Sequence, residues 1–195
     1  MILLHATRKL FEKLPLLYNE QLKNGQLAAT PRSQWLFEQP MLDINPLSGW
    51  DGNLVTLQRR NCVLLVHNAT RFPLVLPALL KPDYGELNDR FVDSFMNTLL
   101  KCAANEAQMN AAQLCLRPLQ IDTQCQRSEQ STLTRIKTEL EQSLLYTNDN
   151  ISELTGYGLG AWLAHIPRTV KDKGMISPDK AMLTLLSGLA VTVAE

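Results

Sequence analysis

The sequence predicts an α+β fold: an antiparallel or mixed sheet of about five strands, covered by helices. Three observations predict it. Residues 50–77 hold three short apolar runs rich in β-formers, each ended by turn residues, the pattern of an antiparallel meander. After Pro82 the apolar spacing changes, and Leu87, Phe91, Phe95 and Leu99 form one row of a helix wide enough to pack on a sheet. The strands cluster rather than alternate with crossover helices, which argues against a doubly wound parallel sheet.

The elements follow in chain order. "MILLHA" reads as a first strand, with Thr7 placed to cap a helix. In "RKLFEKLPLLY", Leu10, Phe11, Leu14 and Leu17 share a helical face, and Pro15 ends or kinks that helix near Lys13. Residues 19–49, broken by Gly25, Pro31, Pro40, Pro46 and Gly49, read as an irregular insertion with one helical turn around Trp35–Phe37. The meander follows as strands over 52–58, 62–67 and 72–76, with a polar turn at Arg59, Arg60 and Asn61. Pro73 cannot donate to a ladder and places the third of these at a sheet edge. Helix covers 83–115. Alternation of Leu119, Ile121, Thr123 and Cys125 with polar partners predicts a strand over 118–125 with one wet face. The rest, 130–195, reads as a helical layer on a single domain spanning 1–195. Its last helix starts with Ser177 as cap, Pro178 in the first turn and Asp179 at the positive end of the dipole.

Bulk properties narrow the function classes. The chain has 195 residues, 45% hydrophobic and 19% charged, as a globular domain with a real core requires. Nineteen basic and nineteen acidic side chains cancel. The first 80 residues carry 8 Lys/Arg against 5 Asp/Glu, a small excess. Nucleic-acid binders draw their affinity from phosphate neutralisation, so nucleic acid ranks last among partners. The four cysteines form no C-x-x-C pair, and no His/Cys spacing suits zinc. "MILLHATRKL" lacks the features of a signal peptide, and no run is long enough for a membrane span. The expectation is a reduced, cytoplasmic protein with no membrane contact, no cofactor and no metal.

Several residues also form a motif set. Thr7-Arg8-Lys9-Leu10 follows the first strand. Trp50 precedes Asn53-Leu54. Arg59-Arg60, Cys62 and Leu64 lead to Asn68, Thr70, Phe72 and Leu76-Pro77. Together these resemble an uncharacterised bacterial and phage family known only as a domain of unknown function. The resemblance covers residues 1–80, with the insertion set aside. That family tends toward an Arg-Ser-x-x-Gly stretch after a later strand; here Arg127-Ser128 follows the strand without a glycine in register. The resemblance implies no activity, cofactor or catalytic residue.

The candidate site residues are His5, His67, Asn68, Arg59 and Arg60. His5 and His67 both end strands, and neighbouring strands would put two imidazoles at one end of the sheet, with Asn68 and Asp51 beside them. Histidine titrates near neutrality and suits acid–base work. The competing reading is a pair of half-buried histidines bonded to backbone. Arg59 and Arg60 would hold an anion if the turn folds inward, and otherwise form a solvated turn. A five-residue strand spans about 17 Å, so the arginines and His67 do not share one small site. "GYGLGAWLAH" lacks the spacing of a nucleotide loop and reads as small residues for close helix packing. Of the three tryptophans, Trp50 sits just before the meander and reads as core rather than as the floor of a shallow groove. The function that follows is a non-catalytic binding or interaction module, with a protein partner or a second copy as its expected partner. The alternative is an enzyme or anion-binding protein with its site near His5 and His67.

Overall fold

The structure, a computed structural model, describes residues 1–15, 45–170 and 174–193. Most of the 19–49 insertion, including Trp35–Phe37, lies outside these residues.

Five strands form a mixed sheet: β1 (Ile2–Ala6), β2 (Trp50–Leu57), β3 (Arg60–His67), β4 (Pro73–Leu76) and β5 (Leu119–Asp122), in the spatial order β4-β3-β2-β1-β5. The expected meander is β2-β3-β4, antiparallel throughout. β1 is parallel to both of its neighbours, β2 and β5. The mixed sheet and its helices make the fold α+β, as the sequence predicts. Pro73 opens β4 at the sheet edge, where its missing N–H interrupts no ladder.

The β2–β3 turn sits one residue earlier than expected. Its central residues are Gln58 and Arg59, with φ of 45° and 62°, and Arg60 already pairs with Leu57. Two positive φ values make the primed turn whose twist matches a hairpin. Neither residue is glycine, but Gln58 is held from outside. Its Nε2 donates to Asp149 O at 2.8 Å, and its Oε1 accepts from Ile151 N at 2.9 Å.

The helices are α1 (Arg8–Phe11), α2 (Leu87–Lys101), α3 (Glu106–Cys115), α4 (Arg127–Thr147), α5 (Gly156–Ala164) and α6 (Pro178–Val193). A 3₁₀ turn, Pro82–Glu86, leads into α2. α1 stops before Pro15. Thr7 does not cap it through its side chain; its hydroxyl donates to Asn53 Oδ1 at 3.0 Å instead, tying α1 to β2. Between α5 and α6 lies a two-stranded hairpin, β6 (Arg168–Val170) with β7 (Gly174–Ile176), where only helix was expected. Strands of three residues are too short for a period to show. The hairpin is anchored by Arg168, whose Nη1 and Nη2 donate to the two oxygens of Glu139 at 2.8 and 2.6 Å.

The sheet separates two hydrophobic clusters. On one face Leu4, Trp50, Leu65 and Phe72 pack with Phe91, Phe95 and Leu99 of α2 and with Met182 and Leu186 of α6. On the other face Val55, Leu64 and Val66 pack with Leu133, Ile136, Leu140 and Leu144 of α4. Trp50 is core, as expected, with Phe91 and Phe95 edge-on to its ring. Trp162, on α5, is 41% exposed.

Candidate functional site

The ends of β1, β2 and β5 bring His5, Asp51 and Asp122 into one row. His5 pairs with Asp51 on β2 and with Asp122 on β5, so the three side chains point to the same face. His5 Nδ1 lies 2.7 Å from Asp122 Oδ1, with both residues buried. Asp51 Oδ1 accepts from Gln126 N and from Gln130 Nε2, each at 3.1 Å, at the start of α4. Burial pushes the Asp51 carboxyl above its ordinary value, although these two bonds and the His5 charge pull the other way. Cys125 donates to the His5 carbonyl at 3.4 Å. Its burial, with the Asp51 and Asp122 charges nearby, pushes its thiol up to about 12. A thiol so held is protonated and a poor nucleophile.

Beside this row a second buried ion pair closes the same end. Arg71, in the β3–β4 loop at φ 58°, donates through Nη1 to the Glu129 carboxylate. Its Nη2 donates to Ser128 Oγ at 2.8 Å, and Ser128 Oγ donates to Glu129 Oε2 at 2.8 Å. Burial raises the Glu129 carboxyl, but the Arg71 and Ser128 hydrogen bonds outweigh it and hold the group below its ordinary value. The network pins the loop to the first turn of α4.

His67 lies at the same end of the sheet but on the opposite face. It pairs with Trp50, and the two ring centroids are 5.1 Å apart. Its Nδ1 lies 2.9 Å from Thr70 Oγ1. Burial, only partly offset by the Ser48 backbone, pushes the imidazole down to about 4. Thus the two strand-end histidines share an end, as the sequence suggests, but the sheet itself stands between them. Asn68 donates its backbone N–H to Gly49 O at 2.8 Å and belongs to the loop that carries Arg71. Arg59 and Arg60 are exposed at the far tip of the hairpin. Seven steps of about 3.3 Å put Arg60 roughly 23 Å from His67. His165, the third imidazole, ties the end of α5 to α6: its Nδ1 is 2.8 Å from Asp179 Oδ2.

Sequence reasoning missed Asp122, Cys125, Arg71 and Glu129 as partners. It assigned the polar residues of β5 to a wet face, yet Gln120 and Asp122 are 4% and 3% exposed. The alternation is real, but its polar face is buried: Asp122 Oδ1 lies against His5 Nδ1 of the neighbouring strand and accepts from Gln124 N at 2.8 Å. A carboxylate within one predicted strand and a histidine at the end of another was the available signal.

A cleft of about 380 Å³ opens elsewhere, where α2, α5 and the end of β4 meet. Val75, Leu76, Pro77 and Leu79 form an apolar floor. Arg90 and Ser94 of α2 stand on one side, and Thr155, Gly156 and Tyr157 at the start of α5 on the other. Gly156 explains the approach of α5: a Cβ there would lie 2.2 Å from Val75 O. A Cβ on Gly160 would meet the Thr98 side chain at 3.0 Å. Gly156 and Gly160 of "GYGLG" therefore serve close packing of a helix, as expected from the sequence.

Among the described residues, no three His, Cys, Asp or Glu side chains form a group able to hold a metal ion. No helix among them is long and apolar enough to cross a membrane. The chain belongs to the family described as a domain of unknown function (DUF6933), whose model matches residues 3–181. The match runs far past the first 80 residues that carry the motif resemblance, and takes in β5, α4 and α5. No curated protein and no solved structure matches the chain.

Proposed function

We propose that this protein is a non-catalytic binding module whose ligand site is the cleft between α2, α5 and the end of β4. The observation that carries this reading is the composition of the cleft: an apolar floor of Val75, Leu76, Pro77 and Leu79 with a few polar groups at its sides. Its volume, about 380 Å³, falls in the range of small-ligand sites. The residues that first suggested chemistry support the reading from the other direction. His5, His67, Asp51 and Asp122 are each at most 2–3% exposed and each is engaged with a neighbouring side chain or backbone group. Groups in that position hold a sheet end together. Cys62, Cys102, Cys115 and Cys125 are all free thiols, which suits a reducing, cytoplasmic setting.

The test is an amide-resolved NMR titration with small apolar fragments such as indole and 2-phenylethanol. Saturable shifts at Val75–Leu79, Ser94 and Gly156–Tyr157 are expected. Fragments that leave these amides unmoved would sink the cleft as a binding site.

A further inference from the structure

We propose that this protein pairs with a second copy of itself through the outer face of α4, where Leu145, Tyr146 and Trp162 meet the same patch across a two-fold axis.

The sequence of α4 sets this face apart. Leu133, Ile136, Leu140 and Leu144 recur at helical spacing and are buried on the sheet. The positions turned away from that row are polar along most of the helix: Thr134, Arg135, Thr138 and Gln142 are exposed. The pattern breaks in the last turn. Leu145 is 83% and Tyr146 93% exposed, and α5 turns Trp162 outward as well. These three side chains lie together. Tyr146 and Trp162 line a shallow groove of about 340 Å³ between α4 and α5, with Gln142 and Ser143 at its base. Leu145 lines a second groove, of about 320 Å³, with Leu144 and with Leu57 of the β2–β3 hairpin. The last turns of α4 are thus a ridge with a groove on each side, a shape that can interlock with its own copy. Grouped, exposed apolar side chains of this kind mark interaction surfaces.

Area and charge identify the occupant. Two nearly bare side chains and the open part of an indole expose roughly 400 Å². Two copies bury about 800 Å² in the apolar centre alone, and the groove walls carry the contact toward the roughly 1,200 Å² at which specific interfaces begin. The charges around the patch are of both signs. Arg59 and Arg60 are exposed at the hairpin tip, and Asp149 and Glu153 are exposed in the loop that follows α4. Gln58 joins the two segments through Asp149 O and Ile151 N. A rim of one sign would repel its own copy and suit a partner of the opposite sign. Opposite charges side by side let each meet its complement across a two-fold axis. The carboxylates nearest the centre enter it already neutralised: Glu139 is paired with Arg168 and Arg135, and Glu141 with Lys137.

The experiment is sedimentation velocity of the full chain between about 1 and 100 µM, the range in which a modest interface dissociates. The expected result is a mass that rises from monomer toward dimer with concentration. Tyr146→Glu should weaken the association at least about 30-fold, the loss of one interface hot spot. Arg59→Glu combined with Arg60→Glu leaves an acidic rim and should weaken it at least about 10-fold at low salt. Leu100→Glu, at an exposed position of α2 outside the patch, should leave it unchanged. Should Tyr146→Glu not fold, the wild type decides: dilution is expected to move the Trp162 indole and Tyr146 amide NMR signals, and signals that stay fixed overturn the proposal. A monomer mass held up to about 100 µM overturns it too, and leaves the patch to a different protein. A dimer that withstands Tyr146→Glu also overturns it, because the contact then lies on another face.

Discussion

Lowering the pH from 7.5 to 5 is expected to remove about 2 kcal/mol of folding stability through His67 alone. The side chain is fully buried against Trp50, and its imidazole is pushed from 6.5 to about 4. In the unfolded chain the ring takes up its proton near 6.5; in the folded protein it stays neutral until about 4. The unfolded state binds more protons throughout that interval. Stability is therefore full above pH 6.5 and falls as the pH drops toward 4. The whole drop amounts to roughly 3 kcal/mol, of which about 2 are gone by pH 5. Glu129 and Asp179, held below ordinary values of 4.5 and 3.8, lose their contributions only as the pH falls below those values. Asp51, held above its ordinary value of 3.8, acts in the opposite sense in its own low range. Urea unfolding followed by circular dichroism at pH 7.5, 6 and 5 reads the slope. His67→Gln should flatten it. An equal slope in the variant, or a flat curve in the wild type, would refute the reasoning. Should His67→Gln not fold, an NMR titration of the wild-type ring decides the matter: protonation near 6.5 is the refuting result.

Two further outcomes are expected. Arg71→Ala leaves the Glu129 carboxylate buried without its cation and should cost about 3–5 kcal/mol in urea unfolding. The double variant Arg71→Met with Glu129→Leu should recover much of that loss, and a cost below about 1 kcal/mol for Arg71→Ala would mean the pair does not hold the loop. Arg59→Gly should raise stability by about 0.5–1 kcal/mol, because a side chain at φ 62° is strained by more than glycine loses in chain entropy. A lowered melting temperature would show that Arg59 makes a contact at the hairpin tip that outweighs the strain.

The strands and helices of the large layers were legible because their apolar spacing is long and regular. Phe91, Phe95 and Leu99 announce α2, and the runs around Leu64 and Leu74 announce the meander. The parallel pairing of β1 was not legible, since nothing local records which distant strand lies beside it. The motif Thr7, Asn53, Asn68, Thr70 and Phe72 was visible as a pattern, but its meaning appeared only in three dimensions. Thr7 bonds Asn53, Thr70 meets His67 Nδ1, and Phe72 fills the core. These residues specify the fold. For the candidate site, the sequence placed His5 and His67 at one end of the sheet, as the strand register has them. It could not show that His67 faces the other way, because a strand end defines a level and the pairing register defines the face. Asp122 was hidden for a related reason: a polar residue in an alternating pattern reads as solvated whether its partner is water or a buried side chain.

The seating of α5 on β4 also bears on how the chain survives its own synthesis. β4 is the outermost strand on its side of the sheet, and Gly156 and Gly160 let α5 lie against its carbonyls at Val75 and Pro73. The helix that shields this edge emerges about 80 residues after the strand it covers. At roughly 5–20 residues per second, the nascent meander spends several seconds with an unguarded, apolar strand edge. A side chain at Gly156 that kept α5 from docking would make that interval permanent, and the damage would show first as aggregation during expression rather than as a loss of binding.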